Sequence, residues 1–89
     1  MIVTKHYSVK GDVQGVFFRL NTKRKADELE LSGWVKNCSD SSVELVVQGP
    51  VEKVKLMVRA LKKGFPGSKV VSVIEQGEVK KRFSGFSIL

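Results

Sequence analysis

The strongest constraint on this chain is a hydrophobic rhythm that switches back and forth between period two and period near 3.6. Val3, Lys5, Tyr7 and Val9 alternate with Thr4, His6 and Ser8, the pattern of a strand with one buried face. After the loop Gly11-Asp12-Val13-Gln14-Gly15-Val16 the spacing changes. Phe18, Thr22, Ala26 and Leu29 then share one helical face, while Lys23, Arg24 and Lys25 fall largely outside it. This spacing predicts a helix from about Phe18 to near Leu31, ahead of Ser32-Gly33. A second strand runs from Trp34 to Asn37, and Cys38 to Ser42 is a polar turn. Val43, Leu45 and Val47 alternate with Glu44 and Val46 to complete a hairpin. Gly49-Pro50 breaks that strand and opens a second helix, marked by Val51, Val54, Met57 or Val58, and Leu61. Gly64-Phe65-Pro66-Gly67 ends it. A strand is expected at about Lys69 to Glu75, then a basic turn at Lys80-Lys81-Arg82 and a short last strand at about Phe83 to Ile88.

This uninterrupted order is the split βαβ pattern of a ferredoxin-like α+β sandwich. The expected form is βαββαβ, an antiparallel sheet with two helices on one face and a short extra C-terminal strand. A length of 89 residues fits one domain over residues 1–89. No apolar run approaches the roughly 18 residues of a membrane span. The start MIVTKHYSVK alternates in polarity and lacks the apolar block of a signal peptide, so the cytoplasm is the expected setting. Cys38 is the one cysteine and His6 the one histidine, which excludes an internal disulfide and makes a zinc cluster or a Cys-His catalytic pair a poor reading. The formal charge of +7 suits an anionic partner, whether nucleic acid, membrane surface or phosphate-bearing small molecule. Fold and charge do not choose among these.

The informative stretch is Gly11 to Arg19. Glycine permits positive φ and close approach to main-chain N–H groups. Free N–H groups at a helix start, reinforced by the helix dipole, can bind an anion. An arginine beside them adds a permanent charge and a planar fork that takes two phosphate oxygens. The spacing matches neither a Walker loop nor a dinucleotide fingerprint. From pattern alone the more ordinary reading is a simple turn and a solvated arginine. Taken by itself Asn37, where a strand meets its turn, reads as a turn residue bonding its own backbone. Trp34 reads as core or groove wall and His6 as a residue of the polar strand face.

Gly11-x-Val13-Gln14-Gly15-Val16-x-Phe18-Arg19 resembles the first signature of the acylphosphatases. Gly33-Trp34-Val35-Lys36-Asn37, followed by Val43 and Gly49, is similar to their second. The intervening Leu29-Glu30-Leu31-Ser32-Gly33 and the closing Arg82 to Ile88 also agree, so the resemblance covers nearly the whole chain. It implies hydrolysis of a carboxyl-phosphate mixed anhydride to carboxylate and inorganic phosphate. It assigns Arg19 and Asn37 as the catalytic residues: Arg19 holds the phosphate and Asn37 orients the attacking water. The phosphate-binding loop is formed by main-chain N–H groups of Gln14, Gly15, Val16, Phe17 and Phe18. The implied substrate is a small acyl phosphate, with inorganic phosphate as product or inhibitor. No metal, organic cofactor or covalent intermediate is implied, and neither nucleic acid nor membrane is an expected partner. A monomer is expected. The resemblance departs at Ser41, where the family usually has a glycine that eases positive φ. A differently shaped turn is expected there.

Two rivals use the same fold. An RNA-binding module exposes aromatics on its sheet, and Arg82-Phe83-Ser84-Gly85-Phe86 is faintly similar to such a signature. It falls on the wrong strand, however, and lacks an aromatic between its Phe residues. A non-catalytic regulatory domain is the other rival; turnover by the isolated chain separates it from an enzyme.

Overall fold

A computed structural model describes residues 1–89. The chain forms β1 (Ile2–Asp12), α1 (Phe18–Glu28), β2 (Ser32–Asn37), β3 (Val43–Pro50), α2 (Val51–Lys63), β4 (Lys69–Glu78) and β5 (Phe86–Ile88). The strands make one sheet in the order β4-β1-β3-β2-β5. All neighbours are antiparallel except β2 and β5, which pair in parallel. The ferredoxin-like arrangement read from the sequence is thus present, with β5 as a parallel edge strand. No helix is long and apolar enough to cross a membrane.

The core lies between one sheet face and the two helices. Tyr7 and Val9 of β1, Val35 of β2, and Val43, Leu45 and Val47 of β3 point into it. Phe18 and Ala26 of α1 meet them, as do Val54, Met57 and Leu61 of α2. Burying each large apolar side chain contributes roughly 1.5–3 kcal/mol. Because strand side chains alternate, Val35 on the core face fixes Asn37 on that same face, while Trp34 and Lys36 face the open side. There the Lys36 ammonium lies 5.3 Å from the Trp34 ring centroid. Gly33 permits the tight β2–β3 pairing, since a Cβ there would overlap the carbonyl oxygen of Val46.

Element ends differ from the sequence reading: β1 runs on to Asp12 and β2 begins at Ser32, and three further ends have a visible cause. Helix α1 stops at Glu28 instead of near Leu31, because a Schellman motif closes it. Leu31 N–H donates to Ala26 O at 2.8 Å, Glu30 N–H donates to Asp27 O at 3.0 Å, and Glu30 takes φ of 57°. Strand β4 runs on to Glu78, where Lys5 of β1 meets Glu75 at 3.2 Å and Glu78 at 3.5 Å. Strand β5 begins only at Phe86. The segment before it must cross the sheet from one edge to the other, and Gln48 holds it partway. Gln48 Nε2 donates to Lys81 O at 2.7 Å, and Phe83 N–H donates to Gln48 Oε1 at 2.9 Å.

Candidate active site

The loop between β1 and α1 turns on two left-handed residues, Gly15 at φ 73° and Phe17 at φ 59°. Such turns point successive N–H groups toward one side and form an anion-binding concavity. Phe17 holds this conformation without the freedom of glycine and is 77% exposed, and strain of that kind concentrates at functional sites. The first helical bond has Asn21 N–H donating to Phe17 O at 3.0 Å; no main-chain N–H from Val13 to Leu20 donates to a main-chain oxygen outside the regular elements. Helix α1 has no side-chain cap and no acidic residue in its first turn. Its donors and dipole are therefore uncompensated, which favours an anion.

A cavity of about 290 Å³ opens at this loop. Gly15, Phe17, Arg19, Leu20, Asn37 and Ile88 line it, together with the buried Val13 and Phe18. Three distant segments meet here: the start of α1, the end of β2 and the end of β5. The Arg19 guanidinium is tethered, its Nη1 donating to the main-chain oxygen of Leu89 at 3.3 Å. One turn along α1, Lys23 Nζ donates to Phe86 O at 3.0 Å, so the helix is pinned to β5 and to the residue that follows it.

Of the residues singled out in the sequence, Gly15, Phe17, Phe18, Arg19 and Asn37 converge on the cavity, whereas Gln14 and Val16 do not line it. The side chain of Gln14 turns instead to the β2–β3 hairpin, and Val16 packs against the core. The contributions of Leu20 and Ile88, and the Leu89 tether, carried no signal in the sequence.

Asn37 is followed by a turn with its own polar network. Asp40 Oδ1 accepts from the Ser42 hydroxyl at 2.5 Å and from the Ser42 N–H at 3.1 Å, and these bonds hold the Asp40 carboxyl below its usual range. Ser41 takes positive φ, at 72°, so the serine bears a strain that a glycine would avoid. On the open face the Cys38 thiol donates to Glu44 Oε2 at 3.3 Å. Burial and this bond push the Cys38 thiol up, away from thiolate character. Burial also pushes the Glu44 carboxyl up, but hydrogen bonds from Cys38 and His6 outweigh it and hold Glu44 below its usual range. No group of three or more His, Cys, Asp or Glu side chains is placed to hold a metal ion.

Fold and site together define a ferredoxin-like α+β protein with a loop of unpaired main-chain donors beside a tethered arginine. The acylphosphatase family profile matches residues 5–88. An acylphosphatase from Burkholderia vietnamiensis is 43% identical over 86 residues, covering 96% of this chain and 88% of that one. The structure of an acylphosphatase from Coxiella burnetii superposes with a TM-score of 0.93 at 39% identity, covering 99% of this chain and 93% of the other. That of the Bacillus subtilis acylphosphatase gives 0.92 at 37% identity, covering 100% and 99%. The chain belongs to the acylphosphatase family.

Proposed function

We propose that this chain hydrolyses acyl phosphates to a carboxylate and inorganic phosphate by direct attack of water on phosphorus, with Arg19 and Asn37 as its catalytic residues. Acyl phosphate hydrolysis follows from the family; the mechanism rests on one observation. Arg19 and Asn37, from different elements, line the same cavity at a loop whose N–H groups have no main-chain acceptor.

The substrate phosphate sits on the N–H groups of Gln14, Gly15, Val16, Phe17 and Phe18, with the Arg19 fork on its oxygens. As the P–O bond to the acyl group lengthens, charge spreads over the equatorial oxygens, where fixed donors stabilise it without reorganising. Asn37 Oδ1 accepts a hydrogen bond from the attacking water and aims its lone pair at phosphorus, and the proton the water gives up leaves on the phosphate product. The leaving group is a carboxylate, stable as an anion, so no strong general acid is required. The scheme uses no metal or organic cofactor, and no residue is acylated or phosphorylated. We further propose that residues 1–89 act as one domain and as a monomer in the cytoplasm, with inorganic phosphate as a competitive inhibitor.

A metal-free assay with an aryl acyl phosphate tests the scheme. Arg19→Ala should lower kcat/KM on the order of 10²–10³-fold, and Arg19→Lys should lose most activity because an ammonium lacks the planar fork. Asn37→Ala should collapse turnover to a small residual rate while inorganic phosphate still binds. Parental rates in Arg19→Ala would overturn the scheme.

A further inference from the structure

The side chain of Gln14 has a duty separate from its main-chain N–H. Its Nε2 donates to Cys38 O at 2.8 Å and to Ser42 O at 2.8 Å. These two carbonyls are the two ends of the turn that follows Asn37, already joined by Cys38 N–H donating to Ser42 O at 2.9 Å. The orientation of the amide is dictated chemically. Two carbonyl oxygens face one amide nitrogen that carries two hydrogens; flipping the group would set oxygen against oxygen. Both bonds are partly buried, and they span 24 and 28 residues of sequence. They are the side-chain link from the loop 13–17 to the turn that follows Asn37.

We propose that Gln14 is a positioning residue: its carboxamide fixes the β2–β3 turn to the phosphate loop and thereby sets the distance from Asn37 to the bound phosphate. The inference rests on the catalytic reading of Asn37 given above. Phosphate binding depends on the loop and Arg19 alone; the aim of the water depends on how loop and turn are placed relative to each other. An error of about 1 Å in such placement can lower a rate by as much as about 100-fold. Gln14 therefore acts on kcat and leaves phosphate affinity largely intact.

The test uses the full chain with an aryl acyl phosphate as substrate and inorganic phosphate as inhibitor. Gln14→Ala should lower kcat by about 10- to 100-fold, with the phosphate inhibition constant changed less than about 3-fold. Gln14→Glu keeps the shape but places a carboxylate against two carbonyl oxygens. It should be as slow as Gln14→Ala at neutral pH and recover kcat in acid, where the protonated carboxyl can donate one hydrogen bond, with the phosphate inhibition constant tracking that of the parent throughout; a residue of merely structural importance would move both together. Combined with Asn37→Ala, the Gln14→Ala change should cost little more, because the two act through the same water. Circular dichroism identifies any variant that fails to fold, and the acid rescue of Gln14→Glu then decides. Full kcat in both Gln14 variants, loss confined to phosphate binding, or losses that add to those of Asn37→Ala would each overturn the proposal. If the parent chain hydrolyses nothing, or Asn37→Ala stays active, it is the catalytic reading that falls; if Asn37 proves essential and Gln14 does not, only this inference fails.

Discussion

Ser41 shows a single residue held in a backbone conformation that suits glycine better. Its φ of 72° places an L side chain in the left-handed region, which costs roughly 1–2 kcal/mol, and the turn tolerates this because Gln14, Asp40 and Ser42 tie it down. Ser41→Gly removes the clash but adds freedom to the unfolded chain, worth roughly 0.5–1 kcal/mol. The net expectation is a gain of about 0.5 kcal/mol in denaturant unfolding, with turnover within about 2-fold of the parent. Individual residues were unevenly legible in the sequence. Arg19 and Asn37 were singled out because each sits in a long signature; as isolated residues both looked ordinary. The Gln14 side chain was missed because its partners are main-chain carbonyls, which any residue provides.

The elements were legible because their periodicities differ, and their ends less so because ends are set by tertiary hydrogen bonds. Leu29 continues the apolar stripe of α1, yet the helix stops at Glu28 once Glu30 turns left-handed. Nothing in the pattern marks Glu30, where glycine is the usual signal. The hairpin of β2 and β3 carries two carboxyls held below their usual range, Asp40 chiefly by the Ser42 hydroxyl and Glu44 by Cys38 and His6 against the effect of burial. A depressed folded-state pKa gives stability that is present above the ordinary carboxylate range and lost as pH falls through the depressed value. The thermal midpoint should accordingly fall in acid below about pH 4. Asp40→Asn, which can still accept from Ser42, should make that fall shallower; an unchanged slope would assign the acid sensitivity elsewhere.

For the molecule as a whole, the +7 charge meets an anionic substrate. Attraction over distance raises encounter rates and is screened beyond about 10 Å at 0.1 M salt. Raising ionic strength should lower kcat/KM while kcat stays level, which a salt series on one preparation can establish. Global architecture was the most readable level, since a strand-helix-strand-strand-helix-strand order with one core leaves few topologies. The parallel pairing of β5 with β2 was not readable, because it depends on the crossing segment that Gln48 holds.

That last strand has three residues and one neighbour in the sheet, so it belongs to the part of the structure that opens most readily. Yet Arg19 and Lys23 are fastened to the oxygens of Leu89 and Phe86. Detachment of this edge would release the guanidinium while the remaining sheet and both helices stayed intact. On gentle heating, hydrolysis should therefore fade several degrees before the circular dichroism signal of the backbone changes, and return at once on cooling. The least stable part of the enzyme would then govern its working temperature range.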